Sequence, residues 1–166
     1  HEMFDREMHE RAEKRIRLET DLRGAVERRE FSLVYQPIVS LETGAPEGFE
    51  ALVRSRRPER GMVSPLDFIP LCEQTGLIVP LGAWILERAA TQLRDWHASH
   101  SALKDLCISV NLSGRQVADP QLLRTLERVL SDTGLDPSRL KLEITESVLM
   151  DHLEVALRTM HSIREM

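Results

Sequence analysis

The feature that most constrains this chain is an alternation of short β-prone segments with long helical ones. Strands are predicted over residues 31–40 (FSLVYQPIVS), 48–54 (GFEALVR), 106–112 (LCISVNL) and 140–145 (LKLEIT). Helices are predicted over residues 65–74, about 81–99, 121–133, and from about 151 onward, still running at residue 166. This alternation is typical of parallel βαβ units, which build either an open doubly wound sheet or a (β/α) barrel.

The polarity of the strand faces distinguishes these two architectures. One face of the last three predicted strands is apolar, whereas the opposite face carries polar residues that include Glu50, Asn111 and Glu143. A doubly wound sheet is covered by helices on both sides and needs two apolar faces, while a barrel can turn polar residues towards its mouth. We therefore predict an α/β fold of the (β/α)8 TIM-like barrel type, with about half of the barrel in these 166 residues.

The first thirty residues differ in composition, because 17 of them are charged. Phe4, Met8, Ala12 and Ile16 recur at near-helical spacing, which predicts an amphipathic helix with a narrow apolar stripe. We assign residues 1–17 to a linker or signalling helix and residues 18–166 to the folded domain. The alternative is a helix that simply packs on the domain behind it, and the sequence does not decide between the two.

Charge and cysteine content restrict the partners and the compartment. The net charge of −5 does not suggest a DNA-binding protein, which would have to neutralise many phosphates. Cys72 and Cys107 lack CxxC spacing and lie in apolar surroundings typical of free thiols. Apolar runs are far shorter than the roughly 20 residues that span a bilayer. We expect a cytoplasmic protein without direct membrane contact, unless another domain tethers it.

Glu50, Asn111 and Glu143 lie on the inward faces of successive predicted strands. Two carboxylates and an amide oxygen suit a hard ion such as Mg²⁺, Mn²⁺ or Ca²⁺ better than zinc. An unpaired carboxylate in such a place costs several kcal/mol, so a compensating charge is required. The alternative is a pair of structural ion pairs, Glu50 with Arg54 and Glu143 with Lys141.

Six short motifs, in order and spacing, carry a more specific signal. They are residues 35–38 (YQPI), 49–54 (FEALVR), 64–70 (SPLDFIP), 74–78 (QTGLI), 110–113 (VNLS) and 142–147 (LEITES). Together they resemble the EAL-domain phosphodiesterases, which hydrolyse cyclic di-GMP to linear pGpG. One departure lies beside the second motif, where Ser55 stands at a position that is usually tryptophan in the family.

The resemblance implies roles for individual residues. Glu50, Asn111 and Glu143 would bind the catalytic Mg²⁺ or Mn²⁺, with Glu50 as the catalytic residue of the set. Gln36, Leu52 and Arg54 would contact the dinucleotide, and Thr145 and Glu146 would support the catalytic loop. Arg54 can form a two-pronged contact with phosphate, and a two-metal site can activate water for attack on a phosphodiester.

The family's remaining site residues follow a strand that this sequence does not contain. We therefore expect the two-metal site to be completed by residues beyond Met166, and the 166-residue chain to be inactive alone. Its open edges predict a homodimer or exchange of elements between chains. The parent protein would carry an amino-terminal sensory or GGDEF-type domain. The alternative function is a catalytically silent cyclic di-GMP receptor, or a regulatory or dimerisation module.

Overall fold

The structure is a computed structural model that describes residues 20, 22, 24–25, 30–57, 61–145 and 153–166. The strands are β1 (Phe31–Val39), β2 (Pro46–Arg57), β3 (Gly61–Val63), β4 (Cys107–Leu112) and β5 (Leu140–Ile144). The helices are α1 (Pro65–Thr75), α2 (Ile78–Ser99), α3 (Gly114–Val117), α4 (Leu122–Thr133) and α5 (Leu153–Arg164). Short 3₁₀ turns at Ser101–Leu103 and Pro137–Arg139 precede β4 and β5.

The strands form one sheet in the order β1-β2-β4-β5, and β3 pairs with the last residues of β2. Strands β2, β4 and β5 are parallel, as the βαβ pattern predicts. Strands β1 and β3 depart from that pattern because they run antiparallel to β2. A tight turn containing Gly44 (φ 69°) returns the chain directly from β1 to β2, which is possible only for antiparallel neighbours. Strand β3 was not predicted, since three residues are too few to show alternation.

The helix boundaries follow local signals. Ser64 caps α1 by accepting a hydrogen bond from the Leu66 N–H, and Gly76 ends the helix at φ 82°, as predicted. Helix α2 begins at Ile78, three residues earlier than predicted, because Pro80 lies in the first turn where its missing N–H is not needed. Helix α5 does not continue to the last residue as predicted. The Met166 N–H bonds the Ile163 carbonyl in a tighter turn after Arg164.

The helices cover one face of the sheet. On that face Ala51, Ile108 and Val110 are at most 4% exposed, and the Phe31 ring packs against Phe68 with 5.5 Å between centroids. On the other face Val34 is 41% exposed. The structure therefore confirms the predicted assignment of an apolar, helix-covered face and an open face that carries the polar residues. We call these the covered face and the open face.

The amino-terminal stripe predicted over Phe4–Ile16 and the linker assigned to residues 1–17 lie outside the described residues. Thr20, Leu22, Gly24 and Ala25 have helical backbone, and both Leu22 and Ala25 are completely buried in the core. This later part of the predicted helix therefore packs on the domain. Cys72 and Cys107 are not joined by a disulfide bond, and Cys72 is buried. Among the described residues, no helix has the length and apolar character needed to cross a membrane.

Candidate functional site

The register of the sheet brings the predicted polar residues to one face. Glu50 is the Cα partner of Gln36 on β1 and of Ser109 on β4, and Asn111 is the Cα partner of Glu143 on β5. Paired residues project to the same side of a sheet, and so do residues two apart on one strand. Glu50, Asn111 and Glu143 therefore share the open face. Asn111 lies towards the carboxyl end of β4, and Glu143 lies towards the carboxyl end of β5.

Glu50 and Asn111 are in direct contact across the β2–β4 pair. The Asn111 Nδ2 donates a hydrogen bond of 2.6 Å to Oε1 of Glu50. Glu143, opposite Asn111 in register, is exposed and forms no hydrogen bond or ion pair within the described part of the chain. The three predicted metal-site residues thus lie on adjacent strands, and the Asn111 amide holds the Glu50 carboxylate.

The structure does not form the alternative ion pairs. The Arg54 Nη1 donates to the carbonyl oxygen of its neighbour Val53 at 2.9 Å, not to Glu50. Lys141 and Glu143 are both exposed, and no ion pair joins them in the described ranges. The carboxylates are therefore not neutralised by these basic residues.

The turn after β4 is locked by a capping box. Ser113 caps α3, and its Oγ accepts from the Gln116 N–H at 3.3 Å. The Gln116 Oε1 in turn accepts from the Ser113 N–H at 3.1 Å and from the Ser113 Oγ at 3.0 Å. Gln116 is only 5% exposed, and it lies where a Cβ at Gly82 of α2 would clash with its side-chain amide. The box orders the turn that follows the end of β4.

A cavity of about 260 Å³ opens beside these residues. Four predicted site residues line it: Leu52, Arg54, Asn111 and Thr145. Within the described residues Arg54 has no carboxylate partner, so its guanidinium is a cation at the cavity wall that is available to an anion. Because Arg54 and Asn111 both line this cavity, it can take an anionic ligand.

Other predicted residues lie apart from this cavity. Gln36 is exposed on β1 and Glu50 is half-buried on β2, both on the open face but not among the cavity-lining residues. Glu146 lies outside the described residues. Sequence reasoning missed Glu73 of α1 and the pair Ser113 and Gln116, which all line the cavity. For the pair, the S-x-x-Q spacing was an available signal, because it is typical of a capping box.

The donor set fits a hard divalent cation. Carboxylate and amide oxygens are the ligands that Mg²⁺ and Mn²⁺ prefer, and Glu50, Asn111 and Glu143 offer such oxygens. No group of three or more histidine, cysteine, aspartate or glutamate residues with metal-binding geometry is found among the described residues, so any ion here relies on the Asn111 amide. Rotating that amide about its last bond would exchange Nδ2 for Oδ1 beside Glu50.

The fold and the site together define a class: an α/β domain with parallel strands whose ends carry a polar, cavity-bordering site. Comparison with known families narrows this class, because the EAL domain family matches residues 19–166. The chain belongs to the EAL domain family. Structures of that family are TIM barrels, and this chain covers part of such a domain.

Two relatives and one solved structure illustrate the similarity. The chain is 39% identical to the bifunctional diguanylate cyclase/cyclic di-GMP phosphodiesterase MucR of Pseudomonas aeruginosa, over 98% of this chain and 24% of that protein. It is 35% identical to the cyclic di-GMP phosphodiesterase PdeR of Escherichia coli, over 99% of this chain and 24% of that protein. It superimposes on the PaMucR phosphodiesterase in its c-di-GMP complex with a TM-score of 0.83 and 40% identity, over 90% of this chain and 60% of that one.

The chain therefore spans about a quarter of the length of these two curated relatives.

Proposed function

We propose that this protein is a metal-dependent phosphodiesterase that hydrolyses cyclic di-GMP to linear pGpG. The observation that carries the proposal is the placement of two carboxylates and one amide, Glu50, Asn111 and Glu143, on adjacent strands of the open face. The choice of cyclic di-GMP as substrate is based on the names of the relatives MucR and PdeR and on the c-di-GMP complex of the solved MucR domain.

Glu50, Asn111 and Glu143 are the proposed ligands of a Mg²⁺ or Mn²⁺ ion. A divalent cation supplies Lewis-acid activation of a water molecule and neutralises charge on the phosphodiester. The protein's contribution is to hold two carboxylates and one amide on strands whose register is fixed by backbone hydrogen bonds. A second ion would need ligands beyond these three residues.

Arg54 and Leu52 are the proposed substrate contacts within the cavity. The Arg54 guanidinium, with no carboxylate to neutralise it in the described chain, can donate two parallel hydrogen bonds to a phosphate group. Leu52 presents an apolar surface for a nucleobase. Gln36 is a further proposed contact, one strand away from Glu50, and Thr145 and Glu146 are proposed to support the loop after β5.

The organisation of the protein is also proposed. We assign residues 1–17 to a linker helix that connects an amino-terminal sensory or GGDEF-type domain to the EAL domain of residues 18–166. The bifunctional name of MucR supports an attached cyclase domain. We propose a cytoplasmic protein that binds cyclic di-GMP and forms homodimers, because β1 and β5 are the edges of the described sheet and each offers backbone groups to another chain.

Turnover of cyclic di-GMP by the full-length protein, followed by chromatography of pGpG with Mg²⁺ or Mn²⁺, tests the function. Glu50→Gln should lower the rate by at least about a hundredfold, because it removes a charged ligand while keeping the side chain's size. Glu87→Gln is the matched control, since Glu87 is an exposed residue of α2 remote from the open face. Equal rates for wild type and Glu50→Gln would contradict the proposal. We also predict that the 166-residue chain alone is inactive, and the same assay tests this.

Binding of cyclic di-GMP without hydrolysis is the second candidate. It is favoured by the hydrogen bond through which the Asn111 amide already satisfies the Glu50 carboxylate. Tight binding of cyclic di-GMP by the full-length protein with no pGpG under either cation would select this candidate.

A further inference from the structure

Arg115 forms a bridge between two walls of the cavity without lining it. Its Nη1 donates to the carbonyl oxygens of Glu73 (2.7 Å) and Gln74 (3.3 Å) in the last turn of α1. The last carbonyls of a helix have no partner within the helix and carry partial negative charge, so a guanidinium there is favourable. Arg115 thus ties α3 to the end of α1.

The two segments that Arg115 joins both contribute to the lining of the cavity. Pro65, Ile69 and Glu73 of α1 lie four residues apart and line one wall. Asn111 and Ser113, at the end of β4, line another part of the cavity. A change in the spacing of these two segments would therefore alter the shape of the cavity.

The base of the bridge is held by hydrogen bonds. Arg115 lies between Gly114 and Gln116, inside the capping box that Ser113 and Gln116 form. The far end is closely fitted, because a Cβ added at Gly76 would lie 3.3 Å from Nη2 of Arg115. Gly76 also has a left-handed backbone, so a side chain there would be strained. Because both ends of the Arg115 side chain are held, this side chain can set the distance between α3 and the end of α1.

We infer that Arg115 is a positioning residue that sets the width of the substrate cavity and thereby the affinity for the dinucleotide. This inference rests on the proposed function. Arg115 touches neither the proposed metal ligands nor the cavity, so it acts through α1 and through the turn after β4. It therefore affects substrate binding more than the chemical step.

Steady-state kinetics of the full-length protein tests the consequence. Arg115→Ala should raise KM for cyclic di-GMP by about tenfold, the effect of one charge-assisted hydrogen bond, and leave kcat within about twofold of wild type. Arg115→Lys should recover part of the KM, because a single ammonium can reach one of the two carbonyls. Arg124→Ala, on the exposed side of α4, is the matched control and should behave like wild type. Unchanged KM in Arg115→Ala, or a lower kcat at constant KM, overturns the inference.

Hydrogen exchange of the same variants separates this inference from the proposed function. Arg115→Ala should raise exchange both at the end of α1, residues 73–78, and in the turn of residues 113–118, because the bridge couples the two. Arg124→Ala should raise neither. Should the wild type show no turnover, the proposed function fails, while exchange still decides whether Arg115 couples the walls. Unchanged exchange in both segments overturns the coupling whatever the kinetics show.

Discussion

The covered face and the open face of the sheet come from the same strands but have opposite properties. On the covered face Ile108 and Val110 are at most 1% exposed, and they belong to one apolar core together with residues of helices α2 and α4. On the open face the neighbouring residue Asn111 is exposed and holds a carboxylate. Alternate side chains of one strand therefore have different roles: those on the covered face stabilise the fold, and those on the open face form the proposed site.

The largest expected difference between the faces is in the free energy of unfolding. Ile108→Ala, on the covered face and 0% exposed, should lower it by about 2 to 5 kcal/mol because it leaves a cavity in the core. Ile38→Ala, on the open face and 36% exposed, makes the same chemical change and should cost less than about 1 kcal/mol. Urea denaturation of both variants measures this, and equal losses would contradict the division between the faces.

A smaller effect is expected at Ser55, the one side chain among the described residues whose buried polar atom has no hydrogen-bond partner. Ser55 is 0% exposed at the end of β2 on the covered face, next to Phe31 in register. Ser55→Ala should leave the free energy of unfolding unchanged or raise it by up to about 1 kcal/mol, because it removes an unsatisfied hydroxyl. A loss above that size in urea denaturation would mean that the hydroxyl has a stabilising partner.

The smallest expected effect is a pH dependence at Tyr35, the chain's single tyrosine. Burial raises the pKa of Tyr35 above 10.0, against an opposing effect of the Arg88 charge. The ring packs on Trp96 of α2, with 4.9 Å between centroids. Because the folded pKa is the higher one, the stability contributed by neutral Tyr35 is complete below the unfolded pKa and is lost as pH rises through the folded pKa. Ultraviolet titration of tyrosinate in folded and urea-unfolded protein measures both values, and a lower folded value would contradict the buried placement.

Much of this division was predictable from the sequence. The period-two alternation in 106–112 and 140–145 placed Asn111 and Glu143 on one face, and Ser64, Pro65 and Gly76 marked the limits of α1. The contact between Asn111 and Glu50 was not predictable, because it depends on the register of β2 against β4, and strand alternation does not determine register.

The bridge from Arg115 to α1 was not predictable either. It joins residues 41 and 42 positions apart through backbone carbonyls, which carry no sequence signature. The local capping box beside it, by contrast, has a recognisable S-x-x-Q spacing. Local signals therefore predicted the ends of elements, whereas contacts between elements required the structure.

The most direct test of the role of the open face measures unfolding free energy and cyclic di-GMP turnover together for Glu143→Gln and Ile108→Ala in the full-length protein. We expect Glu143→Gln to change the free energy of unfolding by less than about 0.5 kcal/mol, as for other exposed sites, while turnover falls by at least about a hundredfold. Ile108→Ala should lose stability by about 2 to 5 kcal/mol and keep its turnover per folded molecule within about tenfold. A Glu143→Gln protein that is as active as wild type, or as unstable as Ile108→Ala, would contradict the assignment of the chemistry to the open face.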